Sequence, residues 1–150
     1  MNESHAVDLL LVEDNPQDLE LALRALRKAN LANKVYVARD GEEALAYLFC
    51  EGGHAARRIT DGPKVVLLDL KLPKIDGLDV LRRIKGDPRT KMIPVVVLTS
   101  SKEQSDVIES YQLGVNSYIV KPVNFESFSA AVHHLGHYWL QHNQPPKVDG

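Results

Sequence analysis

The chain has 150 residues, 44% of them hydrophobic and 25% charged, with a formal net charge of −2. That length and apolar content suit one globular domain with a core of ordinary size. A charge so near neutral gives no electrostatic reason to expect nucleic acid or an anionic membrane as a partner.

In chain order, Met1-Asn2-Glu3-Ser4-His5 opens a polar tail (residues 1–7) without the apolar core of a signal peptide. Leu9-Leu10-Leu11-Val12 is the first predicted strand, and Asn15-Pro16 then offers an N-cap with proline at the first helical position. Val35-Tyr36-Val37-Ala38 is the second strand. Asp40-Gly41-Glu42-Glu43 has capping-box spacing and opens the next helix. Near that helix's end stands Cys50, the one cysteine, so no internal disulfide can form and a reducing compartment is expected. Glu51 to Pro63 is a long connection, where about 2–6 residues are usual.

The third strand is Val65-Val66-Leu67-Leu68, followed by Asp76 as the cap of a helix over Leu78 to Lys85. The fourth is Val95-Val96-Val97-Leu98, followed by capping-box spacing at Ser101-Lys102-Glu103-Gln104 and a glycine stop at Gly114. Ser117-Tyr118-Ile119-Val120 is the fifth, and Asn124 caps a last helix from Phe125. Strands one, three and four are continuously apolar, as central parallel strands covered on both faces are. Strands alternating with helices predict an α/β fold, a doubly wound five-stranded parallel sheet with helices on both faces. It fills residues 8–142 and leaves a polar tail at 143–150. No run reaches membrane-spanning length, and the expected location is cytoplasmic.

The last helix carries a heptad-like stripe, Phe125, Phe128, Val132, Leu135 and Trp139. Phe125, Phe128 and Val132 are expected to pack on the sheet. A helix of about 17 residues spans roughly 25 Å, longer than a strand of roughly 17–20 Å. Leu135, Tyr138 and Trp139 are therefore expected to overhang the core as a homodimer or kinase-binding surface. His133 and His137 stand one turn apart, but no third metal ligand accompanies them.

In a doubly wound sheet, chemistry collects at the C-terminal ends of the strands. Glu13-Asp14 follow the first strand, Asp69 the third, Thr99-Ser100 the fourth and Lys121-Pro122 the fifth. Packed carboxylates favour a hard divalent cation such as Mg²⁺. An Asp can be a nucleophile on phosphorus, and an ammonium and a hydroxyl can hold phosphoryl oxygens. A lone Asp at a strand end often only caps a helix; the ordered set across four strands is what points to phosphoryl chemistry.

From Asp8 to about Leu140 the sequence resembles the receiver domains of bacterial two-component response regulators. The matching segments are Leu11-Val12-Glu13-Asp14-Asn15, Leu68-Asp69-Leu70-Lys71-Leu72-Pro73-Lys74-Ile75-Asp76-Gly77-Leu78, Val97-Leu98-Thr99-Ser100 and Tyr118-Ile119-Val120-Lys121-Pro122. The resemblance implies a flavodoxin-like strand order, 2-1-3-4-5, and a phosphoacceptor switch, not a turnover enzyme. It implies phosphorylation of Asp69 by a sensor histidine kinase, with Mg²⁺ held by Glu13, Asp14, Asp69 and the Lys71 carbonyl. Lys121 would pair with the phosphoryl group, Thr99 and Tyr118 would form the switch, and the bond to Pro122 would be cis. The long connection and long last helix resemble, more narrowly, the small regulators of bacterial and cyanobacterial phytochrome kinases. With no attached effector expected, output would pass through protein contacts. Two other readings stay open: a pseudo-receiver that is not phosphorylated, and a related-fold aspartyl-phosphate phosphohydrolase. The second expects an acid two residues after the nucleophile, where this chain has Lys71.

Overall fold

Four-residue runs without a polar side chain have no face to offer water. Accordingly β1 (Leu9–Val12) and β3 (Val65–Leu68) are buried at every position. So is β4 (Val95–Thr99), which extends one residue past its apolar run to take in Thr99. β2 (Val35–Ala38) and β5 (Ser117–Val120), the two edge strands, are mostly half-buried. All pairings are parallel, in the order β2-β1-β3-β4-β5. The computed structural model describes residues 7–31, 34–52 and 58–146. The expected tail segments 1–6 and 147–150, and 53–57 of the long connection, lie outside the described residues.

Five helices cover the sheet: α1 (Pro16–Lys28), α2 (Gly41–Leu48), α3 (Gly77–Gly86), α4 (Gln104–Leu113) and α5 (Phe125–His137). The two-residue period of a strand divides the core into two layers. Leu10, Val12, Val66, Leu68, Val95 and Val97 pack with residues of α2 and α3. Leu9, Leu11, Val65, Leu67, Val96 and Leu98 pack with α1 and α5. No helix among the described residues is long and apolar enough to cross a membrane.

Local chemistry sets the helix starts. Asn15 Oδ1 accepts from the N–H groups of Gln17 (2.9 Å) and Asp18 (3.0 Å), with Pro16 in the first turn. Asp40 Oδ1 accepts from Glu43 N–H at 2.7 Å, but the returning Glu43 carboxylate takes the N–H of Arg39. Ser101 does not cap α4. That helix begins at Gln104, and the Ser101 hydroxyl instead donates to Asp106 (2.6 Å) while accepting from Glu103 N–H (3.3 Å). Gly114, at φ +104°, ends α4 in the left-handed conformation. At Gly77 a Cβ would lie 2.4 Å from Leu70 Cα, so only glycine lets α3 start against the segment following Asp69.

The final stripe packs differently from the expectation. Phe128, Val132 and Leu135 are buried in the α1/α5 layer, while Phe125 is 49% exposed. The overhang therefore falls at the helix's first turn, beyond the end of the strand that precedes it, and Leu135 is a core residue. Beyond α5 the chain widens into a π-helical segment, Tyr138–His142. Trp139 packs partly against the same layer and Tyr138 stays exposed, so the expected contact surface shrinks to these two rings.

Candidate functional site

Strand pairing continues one residue past each strand and so fixes the side chains at the C-terminal edge. Glu13 N–H donates to Ala38 O (3.0 Å), Asp69 N–H to Val12 O (3.1 Å) and Lys121 N–H to Thr99 O (2.7 Å). The ends of β1, β3 and β5 thereby bring Glu13, Asp69 and Lys121 to one edge of the sheet from positions far apart in sequence.

Lys121 is the centre of the charge network, its side chain only 8% exposed. Its ammonium lies 2.9 Å from a Glu13 oxygen, 3.1 Å from Asp69 Oδ2 and 2.7 Å from Asp18 Oδ2. Burial works against the charged lysine, yet its hydrogen bonds to Asp18 and Glu13 and the charge of Asp69 reverse the balance and raise its pKa. Glu13 moves up to about 7, chiefly through burial and then through the neighbouring Asp69 charge, with Lys121 pulling the other way.

Glu13, Asp14 and Asp69 each place a carboxylate oxygen within 4.8 Å of the others; the first and last are buried and Asp14 is exposed. An all-oxygen donor set with one open side fits a hard divalent cation that retains water. The other Asp69 oxygen accepts from Lys71 N–H at 3.3 Å, while the Lys71 side chain points out to within 4.0 Å of Asp106. Thr99 is fully buried, its Oγ1 accepting from Ser101 N–H at 3.3 Å. The Tyr118 hydroxyl donates to Ser101 O at 3.1 Å, and burial raises its pKa. Ser101 thus touches both residues expected to form the switch.

Two sequence expectations need correction or addition. Peptide bonds among the described residues are all trans, including Lys121–Pro122. The trans form is the intrinsically favoured one even before proline, and from it Lys121 reaches all three carboxylates. Asp18, which sequence reading passed over, is a member of the network. Its signal was present: an acid one helical turn after Asp14, in the first turn of a well-capped helix.

Comparison with known proteins places this geometry. The response regulator receiver domain pattern matches residues 9–133. The "Probable methanogenesis regulatory protein FilR2" of Methanothrix harundinacea is 42% identical over 92% of this chain and 86% of its own length. "Response regulator Rcp1" of Synechocystis sp. is 40% identical over 89% of this chain and 88% of its own. The Mn(2+)-bound structure of Rcp1 superposes with a TM-score of 0.85, at 39% identity over 92% of this chain and 97% of that one. The phosphorylated cyanobacterial phytochrome response regulator RcpA superposes at 0.86, with 43% identity over 94% of this chain and 99% of its own. With five parallel strands in the 2-1-3-4-5 order and the family pattern matched over most of its length, this chain belongs to the response regulator receiver domain family.

Proposed function

We propose that the chain is a phosphoacceptor switch in which Asp69 takes a phosphoryl group from a sensor histidine kinase, of phytochrome type by its similarity to Rcp1 and RcpA. The observation that carries this is the paired buried Asp69 and Lys121, 3.1 Å apart beside a carboxylate cluster of divalent-cation character. An Asp69 oxygen attacks phosphorus, the bond from phosphorus to the donor breaks, and the leaving group departs with the electron pair. Lys121 is placed to hold a phosphoryl oxygen, and Thr99, once its hydroxyl turns from Ser101, to donate to another. Glu13, Asp14, Asp69 and the Lys71 carbonyl would hold Mg²⁺, which would supply positive charge to the phosphoryl oxygens. The new group brings roughly two negative charges and three acceptor oxygens. Its contact with Thr99 alters the loop at Ser101, to which Tyr118 is bonded, and this couples the site to α4 and β5. Output then passes through surface contact with a partner protein, without substrate turnover.

Intact mass after incubation with acetyl phosphate and Mg²⁺ tests the reading. The wild type should gain one phosphoryl group and Asp69→Asn none. A wild type without added mass overturns the proposal.

A further inference from the structure

We infer that Asp18 is a positioning residue that holds the Lys121 ammonium toward α1 and so competes with the phosphoryl group for it. The inference rests on the reading of Asp69 as phosphoacceptor.

An ammonium has three N–H donors. In this structure three carboxylates, of Asp18, Glu13 and Asp69, lie within hydrogen-bond distance of it. The Asp18 contact, at 2.7 Å, is the shortest of the three. It also differs in kind, because Glu13 and Asp69 belong to the divalent-cation cluster and Asp18 does not. Asp18 is anchored by its own helix start, which joins the cluster through the Asn15 N–H bond to Glu13 Oε2 at 3.1 Å. Its own N–H is bonded to the Asn15 cap at 3.0 Å, Pro16 fixes the turn, and the helix N-terminus favours a negative charge there. Its side chain is 27% exposed, against 5% for Glu13 and 6% for Asp69, so it keeps access to water.

When Asp69 carries a phosphoryl group, the Lys121 donors must be divided between the phosphoryl oxygens and the carboxylates already bonded. Asp18 is the one of the three acceptors that lies outside the cation cluster. It therefore sets how much of Lys121 the phosphoryl group receives, and with it the free energy available to the switch. Replacing Asp18 with the near-isosteric Asn removes the anionic competitor without opening a gap.

The test is equilibrium binding of beryllium trifluoride, a reversible phosphoryl analogue on carboxylate oxygen, followed by fluorine NMR at saturating Mg²⁺. Asp18→Asn should bind it about fivefold more tightly than wild type, the scale of one partly exposed ion pair. Asp18→Glu, which keeps the anion, should stay within about twofold of wild type. Glu20→Gln serves as the control for charge alone, because Glu20 pairs with Arg24 and Arg27 on the exposed face of the same helix. It too should stay within about twofold. Equal tightening in Glu20→Gln, or none in Asp18→Asn, overturns the role of Asp18. A wild type that binds the analogue and gains phosphoryl mass while Asp18→Asn matches it sinks only this inference. A wild type that does neither sinks the acceptor reading as well.

Discussion

Lys121 and Lys85 stand at opposite ends of the sheet, and their neighbours treat them in opposite ways. Lys121 follows β5 at the C-terminal edge and faces three carboxylates. Lys85 lies near the end of α3 at the N-terminal edge and, among the described residues, bonds neutral acceptors. It donates to Lys91 O (2.9 Å), Ile93 O (2.8 Å) and Asn116 Oδ1 (3.2 Å). Burial lowers Lys85 to about 8, while the carboxylates carry Lys121 upward despite its burial. Neutral carbonyls tie one lysine into a structural clamp that joins α3 to the segments entering β4 and β5. Opposed charges instead make Lys121 an ion whose partners can be exchanged for others.

Three measurements test this contrast. The largest effect belongs to Lys121→Met, which leaves Glu13 and Asp69 buried without their cation. Metal-free urea unfolding should show a loss of about 3 kcal/mol, and Mg²⁺ should restore much of it by supplying the missing charge. A loss that Mg²⁺ does not repair would mean Lys121 is a clamp like Lys85. Next comes Lys85→Met, expected to cost about 2 kcal/mol by withdrawing one donor from two carbonyls. That cost should be the same with or without Mg²⁺, and any recovery with the metal would tie the two edges together.

The smallest effects are the pH slopes, and they take different windows. Glu13 has a folded pKa of about 7, above its ordinary 4.5. Its contribution to stability is full below 4.5 and is lost as pH rises through 7, in metal-free protein. Lys85 has a folded pKa of about 8, below its ordinary 10.5, so its contribution is full above 10.5 and is lost as pH falls through 8. Thermal unfolding across both windows should show the first slope flattened in Glu13→Gln and the second in Lys85→Met. A Glu13→Gln profile parallel to wild type between pH 4.5 and 7 would show that Glu13 does not titrate there.

Much of this was legible before any coordinates. Asn15-Pro16 and Asn124 mark helix starts through short-range hydrogen bonds that need nothing beyond one turn of chain. The apolar runs at Leu9, Val65 and Val95 name the central strands, because their composition permits no exposed face. Ser101 misled because its hydroxyl bonds Asp106 two residues beyond the spacing of a capping box. Phe125 and Leu135 exchanged their expected roles because a helical stripe tells which residues share a face, not where the sheet beneath it stops.

By itself, then, the sequence determined the element order, the parallel α/β class and the residues that collect at strand ends, since these follow from local hydrogen bonding and the burial of apolar runs. Only the tertiary fold decided that Asp18 shares Lys121 and that Lys85 finds neutral acceptors. The reason is the same in each case. Asp18 lies 103 residues from Lys121 and Asn116 lies 31 from Lys85, and only the packing of the sheet brings such groups within a bond length of 3 Å or so.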